Sequence, residues 1–381
     1  MSLVLDEHRR YLADRSRVTR YERALHEVVR PGDVVVDLAS GTGILALLAC
    51  RAGAARVYAV EAEPIADLAR AIARENGFGD RLHVIRGHSS DVRIPELADV
   101  VVSDQIGRFG FEAGLLSLFA DARAHFLKPG GRLVPSRLDL FIAPVEYRRG
   151  SARVAFWSRR PADFEFSPAH RIAANSGYPA RFASSQLLSA PHRGVSVTLS
   201  EPVTYPLRFD ASFEVQRAGT LDGVGGWFGA QLSPSVDVSN SPLDRERIMR
   251  RQAFLPVGTP VAVAAGDRID VTMRILPDDV QVSWTVTVRP RTGEPVTLTH
   301  STLNGMLIDA ADVHRTHPAY RPALTERGVA RQSVLDLCDG SRTLAEIESE
   351  IYAKHRPLFS SSADAAAFVG EVVTRYTRDA T

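Results

Sequence analysis

The sequence predicts an α/β domain with a parallel sheet, then an antiparallel β-barrel, then a small helical domain. Three observations predict this order. Strand-like and helical runs alternate up to about residue 138, short β-branched runs follow, and helices return from about residue 306. The chain has 381 residues, more than one typical domain contains. We therefore expect domains at 1–138, 139–305 and 306–381.

The first part shows the alternation that a parallel sheet with crossover helices requires. Each predicted strand is a short apolar run, and each helix carries an apolar stripe. A Lys-Pro-Gly-Gly turn at 128–131 separates the last helix from the last strand. The predicted strands are 34–38, 56–60, 82–86, 99–103 and 131–134, and the predicted helices are 18–29, 44–53, 65–76 and 113–127.

The second part has the pattern of an antiparallel barrel or sandwich. Its apolar runs are short and β-branched, and Gly, Pro or Asp turns separate them. Of the two architectures, we predict the barrel. Residues 150–190 interrupt this pattern with irregular sequence that contains several aromatic residues, so we expect an insertion or an arm that contacts a second subunit in a homodimer.

The third part predicts three short helices. The first spans 332–338 and ends at Asp339-Gly340. Thr343 is expected to cap the second helix, because Glu346 stands three residues later as in a capping box. A third helix is expected at 364–376. These helices predict a small bundle or a winged-helix-like unit.

Composition excludes several classes of function. Hydrophobic residues make up 45% and charged residues 24% of the chain, as in ordinary globular proteins. The net charge of +1 gives no electrostatic reason to expect binding to nucleic acid or to a membrane. Cys50 and Cys338 are isolated, so we expect neither a disulfide nor a metal site. No apolar run is long enough for a signal peptide or a membrane span, and we expect a cytoplasmic protein.

The most informative segment is 34–45, which predicts a buried strand, a glycine turn and the start of a helix. Gly41 and Gly43 let the backbone approach a ligand closely, and the following helix directs its N-terminus at that ligand. Glu61 ends the next apolar run, where an acidic side chain can accept hydrogen bonds from two ribose hydroxyls. The segment therefore predicts a nucleotide-like cofactor site.

The wording Ser40-Gly41-Thr42-Gly43-Ile44-Leu45 resembles the S-adenosylmethionine (SAM) motif of class I methyltransferases, in the version of the protein arginine methyltransferases. Ala39 stands where a third glycine is common. The resemblance implies a Rossmann-like domain and SAM as cofactor. A dinucleotide site and a glycine turn without a ligand are the alternatives. The residues that the resemblance implies for SAM binding are Arg17, Asp37, Ala39, Ser40, Gly41, Gly43, Glu61, Ala62, Ser89 and Ser90.

Two of these residues have specific implied roles. Arg17 matches the arginine that pairs with the SAM carboxylate in the family, and a guanidinium suits that role because it binds carboxylates bidentately. Ser90 stands where the family usually has an acid that contacts the adenine. A serine can still accept a hydrogen bond there, although more weakly.

The segment 103–112 resembles the double-glutamate loop of the arginine methyltransferases, in which two carboxylates grip the substrate guanidinium. Here Asp104 replaces the first glutamate, and Glu112 lies one position before the second, where Ala113 now stands. We predict Asp104 and Glu112 as catalytic residues. Arg108 adds a positive charge to this loop, and an ion pair between it and either acid would exclude an arginine substrate.

The family's Thr-His-Trp motif is absent, because Ile248-Met249-Arg250 stands in its place. The resemblance nevertheless implies SAM-dependent methylation of a guanidino group on a peptide, a protein or a natural-product precursor. The first alternative is methylation of a small molecule without a guanidino group, favoured by Arg108 and the lost motif. The second is a non-catalytic protein that binds SAM or a peptide.

The segment 333–347 resembles the helical core of the peptide-recognition domains that accompany enzymes modifying ribosomal peptides, such as the one in pyrroloquinoline quinone biosynthesis. The resemblance implies that the third domain binds a peptide. The same pattern also describes a helix stop followed by a helix start, so a structural or dimer-contacting tail is the alternative.

Overall fold

The computed structural model describes residues 4–377, and the chain divides into two compact units, Met1–Leu307 and Ile308–Thr381. The first unit has a continuous hydrophobic core that includes residues of both predicted domains within it. The predicted boundary between residues 138 and 139 therefore stays a prediction. No helix among the described residues is long and apolar enough to cross a membrane.

The first unit begins with the predicted parallel five-stranded sheet, whose strand order is β3-β2-β1-β4-β5. All five residues of the central strand β1 are buried, as expected for a parallel sheet covered on both faces. The helices are α1 (Val4–Ala13), α2 (Arg15–Val28), α3 (Ile44–Arg51), α4 (Ile65–Glu75) and α5 (Leu115–Asp121), and the strands are β1 (Val34–Leu38), β2 (Arg56–Glu61), β3 (Leu82–Arg86), β4 (Ala98–Val102) and β5 (Leu127–Val134). From β1 the chain continues outward to β2 and β3 on one side of the sheet and then to β4 and β5 on the other side. Open α/β sheets bind ligands where the strand order changes direction in this way, at the carboxyl ends of the strands.

Two antiparallel sheets follow, with strand orders β7-β12-β10-β6-β8 and β15-β14-β13-β9, and β11 pairs with β10. Their strands are β6 (Arg137–Val145), β7 (Tyr178–Ala180), β8 (His192–Thr198), β9 (Leu207–Glu214), β10 (Gly219–Gln231), β11 (Asp237–Ser239), β12 (Gln252–Val263), β13 (Arg268–Leu276), β14 (Gln281–Arg289) and β15 (Val296–Ser301).

The predicted β-barrel is wrong, because its strands do not close into one sheet. No hydrogen-bonded ladder joins the edge strands of the two sheets within residues 4–377. In the second sheet, buried and more exposed residues alternate along β9 and β14. One face is therefore packed and the other faces solvent, as in layered antiparallel sheets.

The segment 150–190 is more regular than the sequence predicts. It contains most of α6 (Arg148–Ala155) and all of α7 (Ser167–Ala174). Val154 of α6 packs with Ala173 and Ala174 of α7 in a small apolar cluster. These short helices are hard to predict because the aromatic residues between them break a regular apolar stripe.

The second unit contains helices and no strand in its described part, so of the two predicted forms the bundle is found and the winged helix is not. It contains α8 (Ala310–Arg315), α9 (Glu326–Leu337), α10 (Leu344–Lys354) and α11 (Ser362–Tyr376). The last three share a core that includes Val334, Ile351 and Val369. The predicted capping box is present: Thr343 Oγ1 accepts from the Glu346 N–H, and Glu346 accepts from the Thr343 N–H.

Candidate functional site

The glycine loop connects β1 to α3 in a left-handed backbone conformation. Gly41 has φ +57° and Gly43 has φ +81°, and Ala39 adopts φ +56° although it carries a side chain. A Cβ on Gly41 would lie 2.7 Å from the ring of His8 in α1. Glycine is therefore favoured at position 41, where the positive φ and the His8 ring both disfavour a side chain.

Glu61 lies directly beside this loop at the carboxyl end of β2. Its buried carboxylate accepts hydrogen bonds from the Gly41 N–H at 2.7 Å and from the Glu63 N–H at 2.9 Å. The parallel pairing of Leu38 with Val60 brings the ends of β1 and β2 together. The two predicted parts of the cofactor site are thus adjacent, and Ala62 follows at the rim of the same strand end.

Asp37 and Ser40 contribute buried polar atoms below the loop. One Asp37 oxygen accepts from the Ala46 N–H of α3 at 3.0 Å, while its other oxygen and the Ser40 hydroxyl have no protein partner among the described residues. Burial raises the pKa of Asp37 well above its usual value, and the nearby negative charge of Glu61 acts in the same direction. These atoms are available to a polar ligand.

Ser89 and Ser90 follow β3 at the same edge of the sheet but have different surroundings. The Ser89 hydroxyl donates to Asp121 at 2.5 Å. Ser90 is exposed and donates to Asp91 at 3.1 Å. Of the two, only Ser90 has a side chain largely open to solvent.

Arg17 is buried in the first turn of α2 and is paired with Asp104. Its Nε lies 2.8 Å from Asp104 Oδ2, and its guanidinium lies 4.7 Å from the ring centre of Tyr11. Its Nη1 is buried without a hydrogen-bond partner within residues 4–377. One nitrogen therefore remains free for a further acceptor.

Asp104, directly after Ser103 at the end of β4, is held by three side chains. Arg17 and Arg250 both approach Oδ2, Arg250 at 3.5 Å, and the Tyr21 hydroxyl donates to Oδ1 at 3.2 Å. The side chains of Asp104 and Arg250 are only 12% and 13% exposed. Two guanidinium groups thus share one oxygen of a largely buried carboxylate.

The sequence did not identify Arg250 as a partner of Asp104. Its guanidinium also donates to the backbone carbonyl of Ile106 and lies 5.6 Å from the ring centre of Tyr11. Burial alone would lower the pKa of Arg250, but the Asp104 charge raises it above its usual value. Arg250 is therefore a charged group inside the site.

Asp14 explains how the two arginines are brought together. One of its oxygens accepts from the Arg17 N–H at 3.3 Å and caps α2, and the other accepts from the Met249 N–H at 2.7 Å. The start of α2 and the segment before β12 are thereby fixed to each other. The sequence shows that an arginine stands in the position of the Thr-His-Trp motif, but not that its side chain reaches Asp104.

Arg108, which the sequence suggested as the intruding cation, has no such position. Its side chain is exposed, and it forms no ion pair with any residue that the structure describes. Its backbone carbonyl accepts a hydrogen bond from the Asn240 side chain at 2.8 Å. The positive charge beside Asp104 comes from Arg17 and Arg250 instead.

Glu112 faces the backbone of its own loop. Both of its carboxylate oxygens accept from the Phe109 N–H, at 3.1 and 2.9 Å. A Cβ on Gly107 would lie 2.0 Å from Glu112 Oε2, so this folded-back arrangement requires glycine at position 107. Burial raises the pKa of Glu112. Asp104 and Glu112 thus have separate partners in this structure.

Comparisons with known proteins find a matching family and solved structures of similar fold. The family described as ribosomal protein L11 methyltransferase (PrmA) matches residues 22–138. The solved structure titled Trypanosoma brucei PRMT1 enzyme-prozyme heterotetrameric complex with AdoHcy has a TM-score of 0.70 at 21% identity and covers 77% of this chain and 97% of that chain. Arabidopsis thaliana protein arginine methyltransferase 10 has a TM-score of 0.68 at 21% identity, covering 78% and 98%. These structures share the fold.

Sequence relatives extend the comparison. Probable protein arginine N-methyltransferase 6 of Arabidopsis thaliana is 39% identical over 153 residues, which are 39% of this chain, and the match spans only 35% of that relative's length. Protein arginine N-methyltransferase 6 of Xenopus laevis is 30% identical over 287 residues, which cover 72% of this chain and 84% of the relative. The resemblance found in the glycine loop is therefore confirmed over most of the first unit, and the chain belongs to the protein arginine N-methyltransferase family.

Proposed function

We propose that this chain is a SAM-dependent methyltransferase that methylates a guanidino nitrogen of a peptide, a protein or a natural-product precursor. The observation that carries this proposal is that the Asp104 carboxylate already holds a guanidinium, that of Arg250, at the sheet edge where the glycine loop and Glu61 meet. An acceptor guanidinium would bind this carboxylate by taking the place of the Arg250 guanidinium.

The residues around the glycine loop fit SAM. Glu61 would accept from the ribose hydroxyls, and the unpartnered nitrogen of Arg17 would bind the carboxylate of SAM. Gly41 and Gly43 provide close backbone approach, with Asp37, Ala39, Ser40 and Ala62 around them, and Ser89 and Ser90 border the adenine side. When bound, SAM supplies an electrophilic methyl group.

Asp104 would orient the acceptor and stabilise its positive charge. A guanidinium cannot be deprotonated by a protein side chain before the reaction, so positioning by a carboxylate is the main task of the site. We infer that Glu112 acts as a positioning residue, since its hydrogen bonds to the Phe109 N–H hold the loop that carries Asp104.

Transfer of labelled methyl groups from SAM to arginine-containing peptides tests this proposal. We expect Asp104→Asn to lower turnover by about 10²–10³, far more than it weakens SAM binding, because a preorganised charge on the acceptor is lost. Asp104→Glu, which keeps the charge, is the matched control and should retain activity. Equal turnover by the wild type and Asp104→Asn would remove Asp104 from the acceptor site.

A second candidate is methylation of an acceptor without a guanidino group. The observation that favours it is the pair of guanidinium groups on Asp104, which leaves local positive charge where a cationic acceptor would bind. A third hypothesis is a protein that binds SAM or a peptide without catalysis. Turnover of SAM with any acceptor would exclude this hypothesis and leave the two enzymatic functions.

For the second unit we propose peptide recognition. Its separate hydrophobic core supports an independent role, because a unit with its own core can fold without the catalytic part.

We also propose that the protein forms a homodimer. Phe156, Phe164 and Phe166 in the segment 150–190 are large exposed apolar side chains, and a second subunit would cover them. Light scattering on the purified chain, which gives its mass in solution, tests this proposal.

A further inference from the structure

A pocket of about 180 Å³ in the first unit is lined by four arginines. We call it the arginine pocket; its lining residues are Tyr147, Arg149, Arg153, Pro179, Ala180, Arg181 and Arg251. All four arginine side chains are exposed. None of them takes part in the ion pairs found between residues 4 and 377.

The four arginines form two pairs, and the two positive charges within each pair repel each other. Arg149 and Arg153 are four residues apart on α6, so they lie on the same face of that helix. Gln252 of β12 pairs with Ala180 of β7 in antiparallel register, which places Arg251 opposite Arg181 at the next position. Like charges in both arrangements destabilise the folded protein.

Two neighbouring acids do not neutralise this charge, because one is paired with another arginine and the other is buried. Glu146 is 2.7 Å from Arg217. Asp222 is buried, and burial raises its pKa, which favours its uncharged form. The whole chain has a net charge of only +1, so this local excess of positive charge is not a general property of the protein.

A second opposed pair shows that facing arginines alone do not make a site. Arg274 of β13 is in register with Arg208 of β9, and both are exposed, but neither lines the arginine pocket. The arginine pocket differs because four arginines, two from α6 and one each from the ends of β7 and β12, line one concave space. A ligand with several acceptor oxygens would convert their repulsion into binding energy.

We propose that the arginine pocket binds a phosphate group. A phosphate carries close to two negative charges and three strong acceptor oxygens, whereas a single carboxylate offers one charge and two oxygens. Four guanidinium forks therefore match a phosphate better than a carboxylate. The phosphate is either the free anion or part of a phosphorylated side chain.

The pocket does not share residues with the Asp104 site, so this inference does not rest on the proposed methyl transfer. The two sites are nevertheless connected through the segment 249–251. Arg181 donates to the Met249 carbonyl at 3.2 Å, and Arg250, which contacts Asp104, is the residue before Arg251.

Thermal unfolding of the full chain in sodium phosphate, compared with sodium chloride at the same ionic strength, tests the proposal. The pocket variant is Arg181→Gln with Arg251→Gln, and the matched control is Arg208→Gln with Arg274→Gln. The control also removes two opposed exposed arginines, and it measures the general stabilisation that phosphate gives to proteins.

We expect phosphate to raise the Tm of the wild type and the control variant more than that of the pocket variant. Direct titration should show phosphate affinity at least about tenfold weaker in the pocket variant, because half of the guanidinium groups are lost. The pocket variant also loses the Arg181 hydrogen bond to the Met249 carbonyl, so the Tm of each protein in phosphate is compared with its own Tm in sodium chloride.

Titration with O-phosphoserine in place of inorganic phosphate identifies the source. Tighter binding of phosphoserine assigns the pocket to a phosphorylated side chain, and equal or weaker binding assigns it to the free anion. An equal response of the pocket variant and the control to both ligands, or no response in the wild type, overturns the proposal.

Discussion

At the scale of single residues, the site depends on how one carboxylate is shared. Asp104 is contacted by Arg17, Arg250 and the Tyr21 hydroxyl. Removing one partner from a buried ion pair typically costs about 3–5 kcal/mol, because the remaining charge is left without compensation. Asp104, Arg17 and Arg250 therefore support each other's burial, and an acceptor that enters this site must compete with Arg250.

Arg250→Ala distinguishes the two candidate acceptors. If the acceptor is a guanidino group, the variant should bind it at least about tenfold more tightly, because Asp104 no longer has to exchange an internal guanidinium for the acceptor. The measurement is KM for an arginine-containing peptide. Arg108→Ala, which removes an exposed arginine from the same loop, is the control and should leave KM unchanged.

An unchanged or higher KM for the arginine-containing peptide, with SAM binding intact, would show that Arg250 does not compete with the acceptor for Asp104. It would thereby contradict binding of the acceptor guanidinium in the place of Arg250.

Glu61→Ala tests the cofactor part of the site. Each charge-assisted hydrogen bond to the ribose is worth about 1.5–3 kcal/mol, so the variant should bind SAM at least about tenfold more weakly. Calorimetry with SAM and S-adenosylhomocysteine measures this. Glu63→Ala removes a nearby exposed carboxylate and should bind like the wild type; equal affinity in all three proteins would exclude Glu61 from the site.

Sequence reasoning found the residues that lie in continuous motifs and missed the one that does not. Gly41 and Glu61, predicted from the glycine loop and the following strand, are in direct contact. Arg250 and Asp104 are 146 residues apart, and their contact depends on how the second part of the unit packs on the first. No local spacing carries that information.

At the scale of elements, the loop after β4 is stabilised by a glutamate within the loop, Glu112. Glu112 accepts from the Phe109 N–H, and Gly107 leaves room for this arrangement. The Glu112 side chain thus contacts the loop backbone in this structure, and its catalytic role stays a prediction.

Glu112→Gln should change how stability depends on pH. Burial raises the pKa of Glu112 in the folded state above the usual value of 4.5, so the folded state binds more protons than the unfolded state between these two values. The free energy of unfolding of the wild type should therefore fall as pH rises through this window. The variant should lose less stability over the same range.

Urea unfolding at several pH values measures this difference. Asp37, whose pKa is also raised, is present in both proteins and cancels in the comparison. Parallel stability curves for the wild type and Glu112→Gln would mean that the Glu112 carboxyl does not titrate differently on folding.

The strands of the parallel sheet were predictable from their apolar runs, but whether the antiparallel sheets close into a barrel was not predictable from the sequence. The parallel strands are short apolar runs because both of their faces are covered, and this leaves a clear sequence pattern. The antiparallel strands show only which face is buried. The edge strands of the two sheets are β7, β8, β9 and β15. Pairing between these edges depends on backbone hydrogen bonds, and the alternation of buried and exposed side chains does not predict such bonds.

At the scale of the whole molecule, the chain consists of two units with separate cores. The first unit holds all residues of the candidate site, and the second holds a helical core around Val334, Ile351 and Val369. The helices of the second unit have side-chain caps, as at Thr343 and Ser361, and these satisfy their first backbone N–H groups. Such a unit does not need the first one to complete its secondary structure.

Deletion of residues 306–381 is therefore expected to leave a folded protein that binds SAM with unchanged affinity. If the second unit recognises a peptide, the truncated chain should keep its kcat on a short arginine-containing peptide but show a higher KM on the natural peptide, because only the binding contacts outside the acceptor site are lost. Calorimetry with SAM and steady-state kinetics with both peptides measure these effects. An insoluble truncated chain, or one with weakened SAM binding, would instead show that the second unit is a packing element of the first. If kcat and KM on both peptides are the same with and without the second unit, a role of the second unit in peptide recognition is excluded.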